Sequence, residues 1–330
     1  MLWGPGLRAG PHPGHEMTIQ TQVLSVPRPV PPRPARRRAG LLLLFLGPFV
    51  LLTVIFFVVP AVLTGLLGLT DLDAAFQGQV VGLGNFAGFT ADPLLPRVLL
   101  NTVVYVFFTL MCFNVGMGLV LALMTTQIPD RVGTVFRAIW LLPRLTPQVV
   151  YALLWLWFVD PTKYGFLNTV RGWFALAPFD LISWSPWLVI VIVNGLIGAS
   201  LGMVIFTSAI KSVPEDYIRA ARVDGASPLR IIRYIILPLI RWPVTFVIVY
   251  QTLALLTSYE YILLITGGGP FYDSTVYALY VFKRAIENGD YGYGAALAFV
   301  LVAVGAIAAQ FYWRFLNFER MITQPKIESD

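Results

Sequence analysis

Cysteine, histidine and charge are all scarce in this chain. Its 330 residues include one cysteine, Cys112, and two histidines, His12 and His15. A lone thiol excludes an intrachain disulfide, and no Cys/His cluster provides a metal site. Charged residues make up 12% of the chain, about half of what a soluble domain carries. That scarcity excludes an ordinary soluble globule. A nucleotide-binding loop is also missing: the run Gly267–Gly269 has no strand before it and no Lys-Ser/Thr after it. If ATP drives anything here, its hydrolysis belongs to another polypeptide.

What is plentiful is apolar. Hydrophobic residues are 57% of the chain, with 23 Phe and a mean hydropathy of +0.75. This is the composition of a polytopic membrane protein. Six apolar runs stand out, at about 41–68, 98–124, 134–158, 187–210, 239–265 and 292–316. Each exceeds the roughly 20 helical residues that cross a bilayer. Runs of this length predict helices, since barrel strands are about 10 alternating residues. The fold class expected is therefore all-α, with six transmembrane helices.

Residues 1–39 are rich in Pro, Gly and Arg and lack periodicity, which predicts a disordered cytoplasmic tail. Met17 is an alternative start. A cleaved signal peptide is disfavoured, because the run after Arg36–Arg38 is too long and no small-residue cleavage site follows it. Residues 40–318 form the expected membrane domain and 319–330 a second cytoplasmic tail. Lys and Arg set the orientation. With both termini inside, 17 of the 23 basic residues fall in cytoplasmic segments. The net charge of +6 then reflects sidedness toward a lipid bilayer, and no nucleic-acid partner is needed. The expected location is a membrane crossed several times.

The most informative stretch lies between the fourth and fifth runs. Ser212–Pro238 reads SVPEDYIRAARVDGASPLRIIRYIILP. Pro214 can open a helix, and Glu215 and Asp216 suit the positive end of its dipole. Asp224-Gly225 forces a turn, and Ser227-Pro228 starts a second helix. The expectation is a helix–turn–helix at the membrane surface whose tip is made of small residues.

This stretch resembles the cytoplasmic coupling loop of ABC importer permeases. Ala220, Ala221, Asp224, Gly225, Ala226, Ile235, Leu237 and Pro238 match the family pattern in register, whereas Arg219 stands where the pattern has Glu. The resemblance extends over roughly 40–318. It includes Gly82-Leu-Gly-Asn-Phe86, Leu142-Pro143 with Pro147, Asp160-Pro161, Gly165-Phe-Leu-Asn168, and Tyr259-Glu260 through Thr266-Gly-Gly-Gly-Pro270. These look like the carbohydrate-uptake branch, in its maltose-type first permease. The resemblance implies a type I ABC importer permease fold that works as a heterodimer with a second permease subunit. It also implies two ATP-binding subunits, an extracytoplasmic sugar-binding protein, a small-molecule sugar substrate and no cofactor. ATPase coupling would fall to Glu215, Asp216, Arg219, Ala220, Ala221, Arg222, Asp224, Gly225 and Ala226. Asp224 is expected to cap the turn or the second helix. Arg219 and Arg222 either meet acids on the ATPase or are solvated. Gly267, Gly268, Gly269 and Pro270 form a loop able to approach the binding protein closely.

A sugar path needs hydrogen-bonding groups at mid-depth, and polar residues in lipid usually face the bundle interior. Asn194, Gln251, Thr257 and Ser258 are the candidates, with interhelical hydrogen bonding as the alternative role for each. Arg144 and Glu260 are the charges expected at membrane depth. Arg144 replaces an uncharged position of the family pattern. It either pairs with an acid or partner chain, or meets an anionic sugar derivative. The rival classes are a secondary transporter driven by an ion gradient and a membrane-embedded enzyme. The first calls for paired intramembrane acids or an inverted repeat, and the second for a catalytic cluster at depth. The sequence contains neither.

Overall fold

The computed structural model describes residues 35–315, with side chains over 44–314. Of the expected tails 1–39 and 319–330, residues 1–34 and all of 319–330 lie outside the described residues, and 35–39, expected to lack regular structure, open a helix. The chain divides into two units, residues 1–54 and 55–330. The first contains the helix Ala35–Thr53, whose opening turn carries the basic run Arg36–Arg38.

The described residues are helical apart from loops and a single isolated bridge, Thr70 to Val80. Four helices are long and apolar enough to cross a membrane: Leu44–Leu67, Leu95–Thr126, Pro186–Lys211 and Tyr291–Arg314. Two further pairs qualify only if a bent pair counts as one span. Large apolar side chains such as Phe56, Phe57, Leu153 and Phe311 are exposed. So much exposed apolar surface is what a helix turned toward lipid presents.

Two of the expected runs are interrupted. The run expected over 134–158 is two helices, Asp130–Leu145 and Gln148–Phe158, meeting at 98°. Thr146 is extended (φ −75, ψ 135) and Pro147 comes directly after it. Proline removes the N–H donor and disfavours helical geometry in the residue before it. The run expected over 239–265 also breaks. Arg241–Thr257 ends at an extended Ser258, and Glu260–Thr266 begins after Tyr259. On its other side, Arg241–Thr257 meets Pro228–Leu239 at 69°.

The Pro186–Lys211 helix is the axis of the bundle. Its face from Val189 to Ile210 is buried, and its glycines let the Leu95–Thr126 helix come close. A Cβ at Gly118 would sit 3.2 Å from backbone atoms of Ala199 and Gly202. Asparagines tie several loops down. Asn101 Nδ2 donates to the carbonyls of Tyr272, Asp273 and Thr275 at 3.0–3.2 Å. Asn85 Nδ2 donates to Gly68 and Thr70 carbonyls, and Asn168 Nδ2 to those of Asp160 and Phe179. Buried backbone carbonyls thereby gain partners that loops alone do not supply.

Candidate functional site

Two regions bring the candidate residues together, a cavity inside the bundle and the surface of the 212–238 loop.

The cavity has a volume of about 410 Å³ and opens at the two helix breaks. Arg144, Thr146 and Gln148 flank the first break; Ser258, Glu260 and Tyr261 flank the second; Asn194 and Gly198 form the wall between, facing Tyr250, Gln251 and Thr257. Interrupted helices are tolerated at membrane depth where they line a cavity, since their free backbone groups need polar surroundings. All five substrate-path candidates (Arg144, Asn194, Gln251, Thr257 and Ser258) line this one space.

Inside it the polar groups are largely satisfied by one another. Asn194 Nδ2 donates to Ser258 Oγ at 2.9 Å and to the Tyr105 hydroxyl, which in turn donates to Ser258 at 3.4 Å. Gln251 Nε2 donates to the Gly198 carbonyl at 3.1 Å. The Thr257 hydroxyl turns back to Ala254 O of its own helix at 3.1 Å. Interhelical bonding is thus the observed state of Asn194 and Gln251. Arg144 is exposed to the cavity and pairs with no carboxylate among the described residues. Glu260 accepts the Tyr259 N–H at 3.2 Å. Among the described residues, the cavity thus holds a free cation and a separate acid beside two tyrosine rings.

Sequence reasoning missed Tyr105, Gln148, Tyr250 and Tyr261. Pro147 was the available signal for Gln148, its immediate neighbour. The tyrosines sit in apolar runs where nothing in their spacing separates a lining ring from a core ring.

The loop surface is built locally. Helix Glu215–Val223 ends in a paired-carbonyl stop: Ala226 N–H donates to Ala221 O at 2.9 Å and Gly225 N–H to Arg222 O at 3.1 Å. Gly225 holds φ +77, the left-handed residue this stop requires. Asp224 occupies the helix C-cap through its backbone. Its carboxylate makes no hydrogen bond among the described residues, and Ser227 receives no side-chain cap, so the expected capping role is corrected. Ile218, Ala221 and Ala226 turn inward onto the chain's own cluster around Phe206, Ile231 and Ile236. The outer face carries Glu215, Asp216, Arg219, Ala220, Arg222 and Gly225, with Tyr217 and an 88% exposed Val223. Arg219 pairs with Asp216 at 2.8 Å, an exposed pair of little energetic weight. Tyr217 and Val223 were not singled out in the sequence. Exposed apolar residues on an otherwise charged helix are the signal that marks them.

The glycine loop behaves differently from its reading as an open contact. Gly267 and Gly268 have positive φ, and a Cβ at Gly268 would overlap the Thr275 hydroxyl. Thr275 Oγ1 donates to Gly268 O at 2.9 Å and Ser274 Oγ to Gly269 O at 2.7 Å. The close approach served by Gly268 is to its own chain. Pro270 and the 90% exposed Phe271 form the outward tip.

Nearby, Asp92 Oδ2 accepts hydroxyls from Tyr280 at 2.6 Å and Tyr293 at 2.7 Å. Burial works against this carboxylate. Those hydroxyls, the Leu94 N–H and Arg284 outweigh it and hold the pKa below the ordinary carboxylate range.

The sequence profile of the family described as binding-protein-dependent transport system inner membrane component matches residues 84–317. A diacetylchitobiose uptake system permease protein of Streptomyces coelicolor is 30% identical over 318 residues, covering 88% of this chain and 89% of the relative. A sulfoquinovosyl glycerol transport system permease protein of Agrobacterium fabrum is 26% identical, over 84% of this chain and 90% of that one. Among solved structures, a chain of a bacterial alginate ABC transporter in complex with alginate pentasaccharide-bound periplasmic protein superposes with a TM-score of 0.74. It is 22% identical and covers 86% of this chain and 96% of that one.

Proposed function

The chain belongs to the family of binding-protein-dependent transport system inner membrane components, and from that premise we propose that it forms the path of an ATP-driven importer for a sugar or sugar derivative. It is a permease subunit, and ATP hydrolysis takes place on separate subunits. The relatives named for diacetylchitobiose uptake and sulfoquinovosyl glycerol transport support the substrate class.

In this reading the protein spans a bacterial or archaeal plasma membrane six times, each bent pair counting as one span, with both termini in the cytoplasm. The basic-residue distribution supports that sidedness. The protein pairs with a second permease, two ATP-binding subunits and an extracytoplasmic sugar-binding protein. The outer face of Glu215–Val223 seats in the ATPase, with Tyr217 and Val223 as apolar anchors among the charges. The loop at Gly267–Pro270 lies on the binding-protein side, with Phe271 as its contact.

The observation that carries the path is the cavity at the two helix breaks, where Arg144, Asn194, Gln251, Thr257, Ser258 and Glu260 converge. Its hydrogen-bonding groups suit hydroxyls, its tyrosine rings suit sugar faces, and the unpaired Arg144 suits an anionic substituent. Reconstitution of the complete transporter tests this. ATP-dependent uptake is measured for a neutral N-acetylated disaccharide and an acidic sugar derivative, with and without the binding protein. Uptake that needs both ATP and the binding protein is expected. Uptake driven by a proton or sodium gradient without ATP would overturn the reading.

A further inference from the structure

One polar side chain at the centre of the bundle stands apart from the bonded groups around it. Asn114 is fully buried, and neither its Nδ2 nor its Oδ1 makes a hydrogen bond among the described residues. Buried amides are nearly always paired, and an intramembrane one left orphaned calls for a physical reason.

Its surroundings supply one. Asn114 lies in Thr109–Met117, nine residues wound as a π-helix inside the Leu95–Thr126 span. Such stretches are rare and concentrate at functional sites. Loss of the extra residue in a π turn shifts the helix by one position, which swings the residues beyond it by about 100°. The carboxamide faces bare backbone at Gly198, where a Cβ would overlap it; a Cβ at Gly202 would overlap the main-chain carbonyl of Asn114. Gly198 is itself a wall of the transport cavity, and its carbonyl receives the Gln251 amide. Asn114 therefore stands one backbone thickness behind that wall. Gly198 is one helical turn, about 6 Å, beyond Asn194 toward Lys211, so Asn114 lies on the cytoplasmic side of the Asn194–Ser258 pair. The Thr207 hydroxyl, further along the same helix, is also buried and unpaired among the described residues.

We propose that Asn114 is a further residue of the transport path, shut behind Gly198 in this conformation and turned into the cavity in the opposite one, where its amide hydrogen-bonds the hydroxyls of the passing solute. The inference rests on the cavity being the path. It explains why an unpaired amide persists where a leucine would be more stable: the amide has its partner in the other half of the cycle. The bare backbone at Gly198 and Gly202 leaves room for the two helices to move past each other.

The test uses the complete transporter with its ATP-binding subunits, in a Cys112→Ser background that removes the exposed native thiol. Asn114→Cys keeps nearly the same volume and is treated with N-ethylmaleimide, which reacts with the thiolate formed where water reaches. Labelling is expected to be at least about tenfold faster in one of two states, nucleotide-free or trapped with ATP and vanadate, than in the other. Equal rates in a complex that hydrolyses ATP, whether both fast or both absent, overturn this inference alone. A chain that purifies without any ATP-binding subunit overturns the importer reading and this inference with it. Asn114→Leu gives an independent readout. It is expected to raise the thermal midpoint of the nucleotide-free complex and to slow ATP turnover at least about fivefold, because leucine disfavours the wet state. A raised midpoint with unchanged turnover overturns the proposal.

Discussion

The 212–238 loop and the mid-bundle cavity use polar residues in opposite ways. On the loop they are spent outward. Asp224 makes no side-chain bond among the described residues, the Arg219–Asp216 pair lies in solvent, and Tyr217 and Val223 stand exposed. The architecture there is local, fixed by Pro214, by Gly225 at φ +77 and by Pro228. In the cavity the polar residues are spent on one another. Asn194, Tyr105 and Ser258 come from three separate stretches of chain, and Gln251 closes onto Gly198. Under the proposed function, the free side chains of the loop suit a rigid partner, and the mutually bonded ones of the cavity suit a solute that takes the place of those bonds.

Substitutions sharpen that contrast, and the largest effect is expected on the loop. Gly225→Val places a β-branched residue at positive φ, which costs about 1–3 kcal/mol locally. The helix stop is lost while the membrane bundle is untouched. ATP-driven uptake is expected to fall below detection in proteoliposomes, with the chain still inserted at its normal level. A normal rate would mean that the loop's shape does not matter. In the cavity, Asn194→Leu removes one exchangeable donor, and uptake is expected to fall on the order of tenfold, the scale of one net hydrogen bond. Co-purification with the ATPase should stay unchanged. Loss of assembly instead would make Asn194 purely structural and erase the contrast.

A smaller and more selective effect is expected from Arg144→Gln. Uptake of acidic sugars should drop severalfold relative to neutral ones, measured in competition, because the only change is one unpaired cation on the cavity wall. Equal loss for both kinds of sugar would assign Arg144 to packing. The smallest effect belongs to a site in neither region. The depressed pKa of Asp92 means that its contribution to stability is present above the ordinary carboxylate range and is lost as pH falls through the depressed value. Asp92→Asn is expected to flatten the acid end of the thermal midpoint against pH and to leave neutral pH little changed. An unchanged acid limb would show that the Tyr280 and Tyr293 bonds do not favour the charged form.

The same division explains what the sequence reveals. The loop was legible because its determinants lie within a few residues of each other. Pro214 opens one helix, Gly225 closes it and Pro228 opens the next, and the bonds run between near neighbours. Four of the six apolar runs were legible by length as helices able to cross a membrane. The bends of the other two were not. Pro147 marked the first break, but the apolar composition runs straight across it. The second break, at Ser258, has no Pro or Gly beside it, and the Ser258 hydroxyl there bonds Asn194 and Tyr105, which are distant in sequence. The candidate polar residues were visible as polar residues in lipid. Their partners were not, because Tyr105 is 89 residues from Asn194 and looks like any aromatic of an apolar run. Nothing in the sequence sets Gly198 apart, and only the packing shows the Asn114 amide lying against it.

The most direct measurement is affinity purification of the tagged protein from its native membrane in mild detergent, then an ATPase assay of wild type beside Gly225→Val. The expected result is an ATP-hydrolysing subunit that co-purifies with wild type and is lost or uncoupled in the variant. A protein that purifies alone, with uptake driven by a proton or sodium gradient, would contradict the assignment of the loop as the seat of an ATPase.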